Sequence, residues 1–167
     1  MTRKIMVLPN GACDGCDKCV DACGQALGYG SKDSEGYRAA IKIVNSEEGY
    51  FPVVCRNCHQ APCVTACMSG CIQPDEDGHV ITDYDRCVGC WMCVMSCPFG
   101  AIETDPQKHV TVKCNSCLDK SVAPCVAVCE KSVLIQINID EYTTRLRKNS
   151  AIRFINGDRE VAQKCDT

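Results

Sequence analysis

Apolar residues in this chain come in short runs, and several of them lead into a group of cysteines. Ile5 to Leu8 is apolar and stops at Pro9, which predicts a strand. Gly28 to Gly36 is polar and glycine-rich, a loop. Ala39 to Val44 predicts a strand, Glu47-Glu48-Gly49 a turn, and Phe51-Pro52-Val53-Val54 an extended approach to Cys55. Asp77-Gly78 has the chemistry of a hairpin tip, with Val80 and Ile81 opening the returning strand. Ala101-Ile102 and Val110-Thr111-Val112 bracket Asp105-Pro106 as a further strand–turn–strand unit. Val133 to Ile139 alternates in its second half and predicts the last strand. No run approaches the ~18 apolar residues that a membrane-crossing helix needs.

Composition changes the picture at one residue type. Eighteen of the 167 residues are cysteine, above the ~8–10% that flags a disulfide scaffold. An oxidised secreted framework and a metal-loaded protein are the two readings. The start, Met1-Thr2-Arg3-Lys4-Ile5-Met6-Val7-Leu8-Pro9, is basic, but Pro9 cuts its apolar run short of the ~7–15 residues of a signal peptide. There is no twin-arginine pair. A reducing cytoplasm is therefore the expectation, and there dense cysteine means metal. A folded partner with its own export signal could still carry the complex elsewhere. The net charge of −3 gives no polybasic footprint for nucleic acid.

Sixteen cysteines fall into four groups. Cys13, Cys16, Cys19 and Cys23 form C-x2-C-x2-C-x3-C, and Cys87, Cys90, Cys93 and Cys97 repeat it with Pro98 following. Cys55, Cys58, Cys63 and Cys67 have a longer central gap, as do Cys114, Cys117, Cys125 and Cys129. Zinc sites commonly use two C-x2-C pairs far apart. The spacing here is that of bacterial-type [4Fe–4S] sites, in which three thiolates hold one cluster and the fourth serves its neighbour. Sixteen thiolates suit four [4Fe–4S] clusters with none left over. Pro62 and Pro124, each just before a third cysteine, stiffen the two lengthened loops. Cys67-Met68-Ser69-Gly70-Cys71-Ile72 lines up with Cys97-Pro98-Phe99-Gly100-Ala101-Ile102, an internal repeat.

The exchange rule allocates the ligands. One cluster takes Cys55, Cys58, Cys63 and Cys97, and its partner Cys87, Cys90, Cys93 and Cys67. The outer groups pair across them: Cys13, Cys16, Cys19 with Cys129, and Cys114, Cys117, Cys125 with Cys23. The expected fold is α+β, two ferredoxin-like modules of short hairpins and short helices around clusters, with a small regular core. Residues 51–104 form an inner module nested within an outer one made of 1–50 and 105–139, and 140–167 is a docking or packing tail.

Four loaded sites of charge 2− bring the net charge to about −11, and buried charge must meet donors and cations. Backbone N–H groups in the cysteine turns are natural donors. Lys18, Arg56, Arg86, Lys113 and Lys120 stand beside ligands, either assisting or as ordinary solvated charges. Few residues remain to pack a core, so the metal-free chain is expected to be poorly folded.

From Ile5 to Ile139 the chain resembles the four-cluster, ferredoxin-like electron-transfer subunits of multisubunit oxidoreductases. The four cysteine groups, Phe51-Pro52, Pro62-Cys63 and Gly78-x-Val80-x2-Asp83-x3-Cys87-x-Gly89-Cys90 carry the resemblance. Such subunits serve dimethyl sulfoxide reductase, formate dehydrogenase, tungsten aldehyde oxidoreductase, hydrogenase and carbon monoxide dehydrogenase. The resemblance implies two fused modules relaying electrons between a catalytic subunit and a second carrier or flavin subunit. The chain departs at Gly24, Met68 and Glu130, where the family has proline after the fourth cysteine, and at Cys71, where it has alanine.

Cys71 reads as a small buried residue in that alanine slot, with a ligand or redox role as the alternative. Cys165 lies in a polar tail and reads as incidental. Trp91 and Met92 read as packing that shields a cluster from water, with a docking role as the alternative; His59, His79 and His109 have no metal-like partners. In the tail, either Tyr142 and Leu146 form one helical turn that docks on a partner, or Ala151 to Ile155 adds a strand, or the tail folds on its own domain. No nucleophile triad, phosphate loop or dinucleotide fingerprint appears. A non-catalytic electron-transfer subunit is the leading expectation, a free-standing polyferredoxin shuttle the alternative, and end-to-end self-stacking a further option.

Overall fold

Four separate two-stranded antiparallel pairs, rather than one sheet, frame the chain in its computed structural model, which describes residues 3–8 and 13–155. β1 (Arg3–Val7) pairs with β8 (Leu134–Asn138), running from Arg3 opposite Asn138 to Val7 opposite Leu134. That pair joins segments at opposite ends of the sequence. β2 (Ile41–Ser46) and β3 (Gly49–Val54) form a hairpin about Glu47-Glu48. β4 (Ile72–Pro74) and β5 (Val80–Thr82) turn through Asp77-Gly78, closed by the Gly78 N–H on the Asp75 carbonyl at 3.0 Å. β6 (Ile102–Asp105) and β7 (Val110–Lys113) form the fourth pair.

Short helices lie between the hairpins: α1 (Lys18–Ala26), α2 (Pro62–Thr65), α3 (Met92–Ser96) and α4 (Pro124–Ala127). Pro62 and Pro124 each occupy the first helical position, where the missing N–H costs nothing and φ is already helical. They start helices as well as stiffening loops. A single 3₁₀ turn, Tyr84–Arg86, leads into the third cysteine group.

Two buried apolar clusters result. The first draws on Ile5, Val7, Val20, Ile41 and Val54 from the early chain and on Val112, Val133 and Leu134 from the late chain. The second is built from residues between Ala61 and Ile102, with Ile72 and Val80 at its centre. Polar stitches join them. The buried His79 has Nε2 3.0 Å from the Arg3 carbonyl oxygen, so the ring donates there with Nε2 protonated. The Lys4 ammonium donates to the Asn57 carbonyl. The Tyr29 hydroxyl donates to Asp105 at 2.8 Å, and the same buried carboxylate accepts the Gln107 and Lys108 N–H groups.

Several boundaries move. Ala39 and Ala40 are buried but precede β2, which runs on to Ser46. The larger correction is in the tail. Ala151 to Ile155 is not a strand: α5 runs unbroken over Ile139–Ile155. Asp140 and Glu141 in its first turn and Arg153 in its last complement the helix dipole. The Asn138 side chain accepts the Asp140 N–H at 3.0 Å, starting the helix where β8 stops. Among the described residues no helix is long and apolar enough to cross a membrane.

Candidate metal centres

Each cysteine group is built from the same two local devices. The first is a left-handed residue two positions after the opening cysteine: Gly15, Asn57, Gly89 and Ser116 all have positive φ. That conformation folds the loop back and turns its N–H groups inward, a concave arrangement suited to an anion. The Asn57 N–H points at Cys55 Sγ at 3.5 Å, and the Ser116 N–H at Cys114 Sγ at 3.3 Å. At Gly89 a Cβ would stand 2.4 Å from the His109 carbonyl oxygen, so both φ and space require glycine.

The second device is a helix turn. Cys19, Cys63, Cys93 and Cys125 lie within α1 to α4, one position after the first helical residue. The fourth cysteine of each group comes four residues later. Four residues are slightly more than one turn and advance ~6 Å along the axis. Cys23 shares α1 with Cys19, whereas Cys67, Cys97 and Cys129 fall at or just past the ends of α2, α3 and α4, where the chain has left the helix that holds the third cysteine.

Cys13, Cys16, Cys19 and Cys129 line one cavity, with Asp14, Lys18 and Glu130 near its mouth. Cys55, Cys58, Cys63 and Cys97 line a second, with Arg56 and Lys113. Cys23, Cys114, Cys117 and Cys125 line a third, whose other walls include Ile5, Ile41 and Val54. For the remaining set, the Cys93 thiol lies within electrostatic reach of Cys87 and Cys67, and Cys90 is exposed. Among the described residues no three Cys, His, Asp or Glu side chains are gathered to hold a single metal ion. In three of the four sets the four thiols line a common cavity.

Burial governs the chemistry of these thiols. It pushes Cys19 up to about 11 and Cys114 up to about 12, with the neighbouring thiols adding to the rise. Cys23, Cys63, Cys93, Cys117 and Cys125 move the same way for the same first cause. Raised thiols are protonated at neutral pH and poor nucleophiles, but a coordinating metal deprotonates them outright. Cys67 goes the other way. Its burial is outweighed by hydrogen bonds to the thiol, including one from Ser69, which hold it at about 7. The donor set therefore fits a metal–sulfur group.

The cations sort themselves. Lys113 is 1% exposed, and its ammonium donates to the Val80 carbonyl and, at 2.8 Å, to that of Cys114. It lines the second cavity and holds the backbone of Cys114, whose side chain lines the third. Arg56 lines the second and stacks over Phe99 at 5.6 Å. Lys18 pairs with Glu130 at 2.5 Å and Lys120 with Asp119 at 3.3 Å, both exposed. Arg86 holds the Ser69 carbonyl at 2.9 Å. Trp91 is half-buried at the start of α3, while Met92 is exposed; His59 and His109 are surface residues. Cys165 lies outside the described residues.

Asn57 is the residue that sequence reasoning missed. It is buried and left-handed, its amide donates to Ser116 Oγ at 2.8 Å, and its side-chain oxygen accepts the Val80 N–H at 3.1 Å. It thereby ties the loop of Cys55 to the loop of Cys114. Aligning the four groups on their opening cysteines would have exposed it, since Gly, Asn, Gly and Ser are types that tolerate this conformation or hydrogen-bond locally. Asn57→Ala strands two buried groups and strains the backbone, so it should cost about 2–4 kcal/mol. Asn57→Gly should cost less, because the backbone strain is relieved. Anaerobic denaturant midpoints of the two loaded variants check the order.

Residues 46–139 match the 4Fe–4S dicluster domain family. The chain belongs to that family. The matched region holds the second, third and fourth cysteine groups; the first lies before it. An uncharacterized ferredoxin of Methanocaldococcus jannaschii is 31% identical over 92% of this chain and 84% of its own length. The thiosulfate reductase electron transfer subunit PhsB of Salmonella typhi is 34% identical over 82% of this chain and 77% of its own. A sulfite dehydrogenase subunit of Allochromatium vinosum is 33% identical over 72% of this chain and 58% of its own. The dicluster family is thus a ferredoxin-like, iron–sulfur family of electron transport, with [4Fe–4S] clusters as the cofactor type.

Proposed function

We propose that this chain is a non-catalytic electron-transfer subunit. It relays electrons through four [4Fe–4S] clusters between a catalytic oxidoreductase subunit and a second carrier or flavin subunit. The observation that carries the reading is the gathering of thiols three from one cysteine group and one from another. That pattern supports the ligand sets Cys13/Cys16/Cys19/Cys129, Cys114/Cys117/Cys125/Cys23, Cys55/Cys58/Cys63/Cys97 and Cys87/Cys90/Cys93/Cys67. Each cluster, when bound, supplies a one-electron couple.

The protein's own residues do the rest. Ile5, Ile41 and Val54 keep water from the third cavity, and exclusion of water is one determinant of potential. Lys113 holds a cation beside the second, where it offsets the negative charge of a thiolate-ligated site. Asn57 and Ser116 fix the distance between the two loops. The two apolar clusters support a division into an outer module, 1–50 with 105–139, and an inner one, 51–104, except that Val54 and the strand β3 that carries it pack with the outer cluster.

Large apolar side chains beside the ligands favour a resident subunit over a free shuttle. Met68 is 90% exposed, and Val88, Met95 and Phe99 are also open to solvent. Exposed apolar groups of this kind mark protein-binding surfaces. The resemblance of the chain favours a tungsten or molybdenum aldehyde or formate enzyme, or a carbon monoxide dehydrogenase, as the catalytic partner. A reducing compartment, the cytoplasm, suits the thiols.

Protein purified without air should carry about sixteen irons per chain, four for each of four clusters. Native mass spectrometry should recover it with a larger subunit. Zinc in place of iron would overturn the cluster reading, and a lone loaded monomer would favour the shuttle.

A further inference from the structure

The repeat puts a fifth thiol beside one of the four sites. Ala101, in the sister position, is 5% exposed and forms part of the wall of the cavity lined by Cys55, Cys58, Cys63 and Cys97. Cys71 occupies the matching place, four residues after Cys67, and is 4% exposed. A turn returns the chain there: Gly70 has φ 65°, and its N–H reaches the Cys67 carbonyl at 3.1 Å. As a result Cys71 Sγ lies 3.4 Å from Cys67 Sγ.

We propose that Cys71 is a spare ligand, able to take iron in place of Cys67 at the site framed by Cys87, Cys90 and Cys93. The proposal rests on the four-cluster reading above. Two sulfur atoms at van der Waals separation can present themselves to the same iron with a small rotation of either side chain. Cys67 is the more accessible of the two, and Ser69 Oγ, 3.6 Å from its sulfur, can solvate it once released. The exchange is redox-neutral. One iron–sulfur bond to Cys67 breaks and one to Cys71 forms; the proton lost by the Cys71 thiol ends on Cys67. Oxidation states are unchanged, and no co-reactant is needed. The site can then keep its iron when the outer thiol is displaced.

The test uses the full chain, reconstituted without air, as wild type, Cys67→Ala, Cys71→Ala and the double variant. Iron and sulfide per chain and the electron paramagnetic resonance spectrum of the reduced protein are the readouts. Cys71→Ala and Cys67→Ala should each keep about sixteen irons, the latter with an altered spectrum, and the double variant should lose about four. Cys67→Ala losing as much iron as the double variant would overturn the proposal. So would its failure to fold under conditions where Cys90→Ala folds, because a rescued site must be the more stable. A wild type well short of sixteen irons refutes the four-cluster reading instead, which keeps the two failures apart.

Discussion

Replacing Cys97 with alanine should strip iron from the site of Cys55, Cys58 and Cys63, not from that of its sequence neighbours Cys87, Cys90 and Cys93. Cys97 ends α3 and lines the same cavity as those three cysteines. The reason is the helix turn that separates it from Cys93. Double variants make the assignment measurable. Cys97→Ala combined with Cys58→Ala should lose about four irons, as either change alone does, since both act on one cluster. Cys97→Ala combined with Cys90→Ala should lose about eight, since the changes act on two. Iron and sulfide analysis after anaerobic reconstitution decides it. The opposite pairing, with Cys58 additive and Cys90 not, would return Cys97 to its own group and dissolve the exchanged arrangement.

Removing the iron should unfold the chain, not merely silence it. Each two-stranded pair is marginal alone in water, and the second apolar cluster has Cys63, Cys71 and Cys93 among its seven buried members. Cys19, Cys23, Cys114 and Cys125 stand among the buried members of the first. Binding free energy at structural metal sites appears as folding free energy. Loss of all four clusters should therefore exceed the ~5–15 kcal/mol that holds an ordinary domain. Chelator-treated, reduced protein should lose amide dispersion and any cooperative thermal transition, and should regain both when iron and sulfide return. A cooperative transition surviving in the stripped protein would show that the hairpins and α5 suffice.

Reading the residues goes furthest where the geometry is local. The sixteen cysteines, the turn at Asp77-Gly78 and the hairpin from Ile41 to Val54 depend on neighbours a few positions away. Their spacing and turn chemistry carry them. The α5 helix is legible only in part, because Tyr142 and Leu146 show the helical interval while Ala151 to Ile155 is apolar enough to suit either state. The Asn138 cap and the acidic first turn at Asp140 and Glu141 favour the helix, and an exposed helix with no buried face leaves little periodicity to read.

The sequence by itself determined the kind of chemistry, because ligand type and interval fix which metal group a loop can embrace, and thiols at these intervals suit iron–sulfur cubes. Only the tertiary structure decided which charged and polar groups face those loops. Lys113 and Lys120 look alike beside their cysteines, yet one is buried against the second cavity and the other pairs with Asp119 at the surface. Cys71 is a single departure in a repeat until the turn at Gly70 brings its sulfur against Cys67. Such contacts join residues through space, and burial and distance exist only once the chain has closed on itself.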